Sequence, residues 1–261
     1  MGQCRRHNQD DELPATPMSQ PVPEQILDCL HHVAEQRRLR KVTPGLEQDV
    51  ERLKLYQQQR FTRSYADLLA NPRYAAAARF FLEELYGPGD FTRRDAQFAR
   101  VVPALARLFP SEVVVTVAHL AELHAISERL DTEMARHLNG VTPSPAGYAR
   151  AWQATRLPEL RQQQIDLTLA VGQALDGYTR KPLLRQALRM MRAPANAAGL
   201  SELQHFLETG FDTFKAMKGA QHFLSTVRER EERLASALFR CDPALLNGAC
   251  PAGDDPLGQL P

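Results

Sequence analysis

Helix punctuation is the feature that most limits the fold of this chain. Pro23, Pro72, Pro145, Pro158 and Pro182 each stand where an apolar rhythm of 3.6 residues begins. Proline is tolerated there because the first turn of a helix has no partner for its backbone N–H. Pro44-Gly45 separates the first two segments, and Asn71 caps the third, with Pro72 at its first helical position. Gly87-Pro88-Gly89 stops that helix and Asp90 caps the next. Pro103 is expected to break or kink the fourth helix, and Pro110 to end it. Asn139-Gly140 supplies a C-terminal glycine signal to a long fifth helix. The resulting helices cover about 23–41, 46–69, 72–86, 90–109, 111–138, 145–155, 158–179, 182–191 and 200–239.

No segment reads as a strand. The β-branched run Val113-Val114-Val115-Thr116-Val117 continues directly into helical periodicity, with Ser111 as its N-cap and Glu112 in the first turn. The expectation is therefore an all-α fold, a compact bundle of about nine helices. It comprises a disordered N-terminal tail (1–21), a single all-helical domain (22–240) and a disordered C-terminal tail (241–261). The first tail is polar and proline-rich, and the last carries four prolines and three glycines. No internal repeat is visible.

Phase at 100° per residue assigns faces. Tyr74, Ala78, Phe81, Leu82 and Leu85 form one stripe, widened by Ala77 and Phe80. Val115, Leu123, Ile126, Leu130 and Met134 form another, and Leu203, Leu207, Phe211 and Phe214 a third. Gly210 shares the third face, which suits a close helix crossing. Glu83 falls opposite its stripe, toward water, whereas Glu84 falls beside Phe80 and Ala77 at a buried edge. A carboxylate held there needs a partner or a shifted pKa.

The string Phe80-Phe81-Leu82-Glu83-Glu84-Leu85-Tyr86-Gly87-Pro88 lies between Arg73-Tyr74 and Asp90-Phe91. With Arg94-Asp95, Leu130-Asp131, Met191-Arg192-Ala193-Pro194 and Gly210-Phe211, it resembles the bacterial FFLEELY-motif proteins. The likeness runs from about residue 46 to 239. It implies one helical domain and brings no activity, cofactor or catalytic residue with it.

Composition excludes little. Net charge is +1, so neither nucleic acid nor an anionic membrane is an expected partner. No apolar run is long enough to span a bilayer, and the N-terminus has no apolar signal region, so a cytoplasmic protein is expected. The four cysteines, Cys4, Cys29, Cys241 and Cys250, lack zinc spacing and read as free thiols in a reducing compartment.

Candidate site residues cluster at one hairpin. The short Gly-Pro-Gly turn makes the third and fourth helices antiparallel neighbours, so Glu84 can pair with Arg94 while Asp95 reaches a third helix. Arg73, Tyr74, Glu84, Tyr86, Arg94 and Asp95 are the candidates for ligand binding or interaction, or for an ion-pair network that clamps the hairpin. The bare aromatic stripe is equally the ordinary content of a core. His119 and His137 share a phase but lie about 27 Å apart, too far for one metal. No Glu-x-x-His occurs for a di-iron site, and His119 or His124 could at most serve a haem as axial ligand. There is no nucleophile elbow and no phosphate loop. Arg37, Arg38, Arg40 and Lys41 form a basic helix end, which the helix dipole already favours.

No catalytic residue, metal or cofactor is therefore assigned, and whether the chain is an enzyme stays open. Two functions are expected. The first is a non-enzymatic interaction or regulatory protein, with a protein partner or a second copy of itself. The alternative is a helical ligand-binding or redox domain holding haem, metal or a small apolar molecule near the FFLEELY hairpin.

Overall fold

The computed structural model describes residues 22–85, 91–246 and 255–261. Among the described residues the chain is helical throughout, with no strand. Helices α1 (Val22–Val42), α2 (Leu46–Ser64), α6 (Ser111–Arg136), α7 (Pro145–Thr155) and α8 (Pro158–Thr179) fall close to the segments that proline and glycine delimit. The helix expected over 46–69 is interrupted at Tyr65, which leaves helical geometry (φ −123°, ψ 24°) with its side chain fully buried. The short α3 (Ala66–Ala70) follows.

The long segment expected over 200–239 divides into α11 (Ser201–Ala216) and α12 (Gln221–Arg240). Lys218 (φ 51°) and Gly219 (φ 114°) turn the chain between them. Segment 182–191 is likewise followed by a separate α10 (Arg192–Ala197) after α9 (Pro182–Met190). In the other direction, α5 (Thr92–Leu108) runs through Pro103. Loss of one backbone hydrogen bond there does not end the helix.

The conspicuous string of the sequence has an unusual backbone. α4 (Ala75–Phe80) widens into a π-helical turn over Phe81–Leu85. A wide turn carries an extra residue, so three successive side chains, Phe80, Phe81 and Leu82, can all be buried while Glu83 stays exposed. The Phe80 and Phe81 rings join Phe206, Phe214 and Phe223 in an aromatic core, with centroid separations of 5.5 to 6.5 Å. At roughly 1.5–3 kcal/mol per buried aromatic, this cluster outweighs any exposed ion pair in fixing α4 against α11 and α12. Gly210 makes the close crossing expected of it: a Cβ added there would lie 3.1 Å from the Phe80 ring.

Other apolar clusters surround the first. One gathers Leu53, Tyr56, Met134, Tyr148, Trp152 and Leu238 from α2, α6, α7 and α12. Leu260 joins it from a short 3-10 turn at Pro256–Gln259, so the proline- and glycine-rich end of the chain contributes to the core at its far end. Arg63 donates to the Leu260 carbonyl (2.8 Å). α1 packs Ile26 and Leu30 against Val102, Val114 and Ala121 of α5 and α6. α6 borders several of these clusters, and the polar groups between them lie at its middle.

Candidate functional site

The site begins at α6, where His124, Ser127, Glu128 and Asp131 fall on successive turns facing α1, α2, α5 and α8. Asp95 of α5 accepts a hydrogen bond from Arg37 of α1 (2.7 Å) and pairs with His124 Nε2 (2.8 Å). A carboxylate only accepts, so the imidazole hydrogen sits on Nε2 and leaves Nδ1 as an acceptor in the neutral ring. Burial raises the Asp95 carboxyl, but His124 and Arg37 outweigh it and hold Asp95 below its ordinary value. The same geometry joins three helices around one carboxylate.

One turn on, Glu128 is almost fully buried and lies between two cations. Arg40 pairs with its carboxylate and donates to its carbonyl and to Thr132 Oγ1 (2.9 Å), while Lys54 donates to Glu128 Oε1 (2.7 Å). Burial pushes the Glu128 carboxyl up, and Lys54 and Arg40 together pull it down to about 2. Asp131 accepts from Gln57 (3.1 Å). Across from them, Glu231 of α12 accepts from Arg60 (2.5 Å) and from the Tyr65 hydroxyl (2.6 Å). The Arg161 guanidinium lies 4.0 Å from the Trp152 ring centroid and donates to Gln164 (2.9 Å), whose amide donates to Ser127 (2.8 Å).

Three spaces border this network: an open groove of about 770 Å³ along α1 and α2, lined by Arg37, Arg40, Lys54, Asp95 and Glu128, and two more. A small cavity of about 60 Å³ lies among Lys54, Arg60, Glu128, Asp131, Trp152 and Arg161. An apolar chamber of about 380 Å³ lies between α5, α6, α10 and α11, walled by Phe98, Val117, Leu120, Ala195, Leu203 and Phe206 among others. His124, Ser127 and Thr168 line both. The chamber's polar edge holds Arg94, Asp95, His124, Ser127, Thr168 and Gln204. Its volume is in the range of small-molecule sites, which run about 300–1,000 Å³.

The six residues singled out by the sequence separate in space. Arg94 and Asp95 line the chamber, and Arg94 stacks over Phe91 (4.1 Å) and Phe206 (4.6 Å). Asp95 does reach further helices, α1 and α6. Arg73 instead donates to the carbonyls of Met217 (2.6 Å), Lys218 and Gly219 at the turn between α11 and α12. Tyr74 packs beside His222 and Phe223 in the aromatic core. Tyr86 and the Glu84 side chain, and with them the expected Glu84–Arg94 pair, lie outside the described residues.

The sequence reading missed Arg40, Lys54, Glu128 and Arg161. Arg40, read as part of a basic helix end that the helix dipole favours, is 6% exposed and bound to Glu128. Among the described residues, no group of three or more His, Cys, Asp or Glu side chains is placed to hold a metal ion.

These residues fall within a span that a known family describes. The family described as Domain of unknown function (DUF8198) matches residues 36–245. The chain belongs to that family. The DUF8198 span includes the whole Arg37–Asp95–His124 network, both partners of Glu128, and Trp152 and Arg161. No curated protein and no solved structure matches the chain significantly.

Proposed function

We propose that this DUF8198 protein binds a small, mainly apolar molecule in the chamber between α5, α6, α10 and α11. The observation that carries the reading is the chamber itself: about 380 Å³ of largely apolar space closed on one side by hydrogen-bonding groups. A packed helical protein ordinarily leaves few voids larger than a water molecule. Scaling from a 150 Å³ cavity that accepts benzene, this one accommodates on the order of 15 non-hydrogen atoms. The described residues supply no metal ligand set, and the reading accordingly names an organic ligand.

The test uses N-phenyl-1-naphthylamine, a neutral probe that fluoresces in apolar surroundings. It should bind the purified protein saturably with one site per chain. Ala195 is buried and lines the chamber from α10. Ala195→Phe should abolish probe binding while leaving the helical circular dichroism intact. Equal binding by the folded variant would remove the chamber as the site.

The interaction reading keeps one specific support. Leu183 and Met190 of α9 are 76% and 77% exposed, with Met191 beside them, a surface suited to another protein or a second copy. Chemical crosslinking of the purified chain would reveal a self-association centred there. The likeness to bacterial FFLEELY-motif proteins is likewise our reading, supported by the string over residues 80–88. The reading without a nucleic-acid partner is supported by the +1 net charge. Among the described residues, no helix is long and apolar enough to cross a membrane.

A further inference from the structure

We infer that the chamber's ligand is a medium-chain carboxylic acid whose carboxylate enters the small cavity beside Trp152; this rests on the chamber reading above. Three observations lead there. First, chamber and cavity adjoin at three side chains that line both, His124, Ser127 and Thr168, and displacement of these side chains would join the two spaces. Second, Trp152 and Arg60 line the cavity, and their Nε1 and Nε atoms are buried with no hydrogen-bond partner among the described residues. Trp152 is 6% exposed and Arg60 is 7% exposed. Both atoms are donors only, so what they lack is an acceptor.

The carboxylates already present are engaged elsewhere. Glu128 is held by Arg40 and Lys54, Asp131 by Gln57, and Glu231 by the Nη1 of Arg60 and by Tyr65. Third, the cavity is small. At about 60 Å³ it admits roughly two or three non-hydrogen atoms on the same benzene scaling, which suits a carboxyl group and is tight for a phosphoryl group or a ring. Lys54, Arg60 and Arg161 in its walls are balanced by Glu128, Asp131 and Glu231, so an ionised head is held by the unsatisfied Trp152 and Arg60 donors rather than by net charge. The chamber then takes an alkyl tail of roughly ten to fourteen carbons. Water is the competing occupant of the cavity, because it too is an acceptor.

Trp152 is the chain's single tryptophan, so its emission reports on this cavity directly. Dodecanoate and 1-dodecanol are titrated separately against the full chain, following displacement of N-phenyl-1-naphthylamine and, without the probe, Trp152 fluorescence. Both ligands should displace the probe. Only dodecanoate should change Trp152 emission, saturating over the same concentrations, and it should bind at least about tenfold tighter than the alcohol. Trp152→Phe should lower dodecanoate affinity about tenfold and leave that of 1-dodecanol unchanged. Should the variant fail to fold, the emission titration on the native chain still decides. Displacement by both ligands with equal affinity and unchanged Trp152 emission would leave water in the cavity and overturn the carboxylate inference, with the chamber intact. Failure of either compound to displace the probe would overturn the chamber reading as well.

Discussion

Glu128 illustrates what one buried charge does in this protein. Its carboxylate is held at about 2 against an ordinary 4.5, because Lys54 and Arg40 outweigh the burial that would raise it. The folded state therefore binds the Glu128 proton less readily than the unfolded state. The stabilisation is present in full above pH 4.5 and is lost as pH falls from 4.5 toward 2. A shift of this size corresponds to on the order of 3 kcal/mol. Glu128→Gln should cost about 3–5 kcal/mol at pH 7, since it leaves Arg40 and Lys54 buried without their carboxylate. Urea titrations of both proteins at pH 7 and pH 3 provide the check. Asp95 shares the acid limb, so the difference between the two proteins isolates Glu128. Parallel acid limbs for wild type and variant would remove this assignment. A signal for this pair was present in the sequence. Arg40 continues the buried row Ile26, Leu30, Val33 at helical spacing, and Glu128 stands seven residues from both Ala121 and Ala135. A charge on an apolar stripe indicates a buried partner. Neither sequence, however, says which stripe faces which.

At the level of helices, most boundaries set by proline were legible, although α4 begins at Ala75 rather than Pro72 and α5 runs through Pro103, and boundaries set by packing were not. The starts at Pro145, Pro158 and Pro182 follow from local chemistry alone. The break at Tyr65 has no comparable local cause; the residue leaves the helix with its ring buried against Phe61 (4.3 Å). The division of α11 from α12 lies between these cases. Its marker is Lys218-Gly219, overlooked because apolar periodicity resumes directly at Phe223. Gly219 holds φ 114°, and its carbonyl, with those of Met217 and Lys218, accepts from Arg73. Gly219→Ala should therefore destabilise the protein by about 1–3 kcal/mol, a strain cost that the single contact of the new Cβ, with Arg73 Nη2 at 3.8 Å, does not offset. Thermal melts should show the loss, and Gly199→Ala, at φ 70° away from any such bracket, offers a comparison for strain alone. If Gly219→Ala melts with wild type, the turn is not held as described. The π-helical turn over Phe81–Leu85 was equally beyond a phase analysis that assumes 100° per residue.

For the whole molecule, the chamber poses a problem of access. Its outer side is formed by α9, α10 and α11, and the first two are short helices in which, among the residues whose side chains are described, only Ala195 is buried. They are tied to α11 largely by polar contacts at the surface. Arg192 makes a bidentate pair with Glu208 (2.5 and 2.6 Å), Arg185 pairs with Asp212 (2.8 Å), and Gln204 donates to the Leu188 carbonyl (2.6 Å). Exposed ion pairs contribute little to global stability, yet here they bridge the elements at the chamber's rim, whose separation would widen the way in. Regions with few buried apolar contacts are also those that open locally at low cost. Glu208→Lys should then leave the melting temperature of the free protein nearly unchanged while accelerating both binding and release of N-phenyl-1-naphthylamine. Hydrogen exchange should rise over residues 182–197 and stay at wild-type levels in α6 and α8. A variant with unaltered probe kinetics but faster exchange over 182–197 would show that these helices move without gating the chamber, and entry would have to be sought at the Leu30–Phe109 side, between α1 and α5.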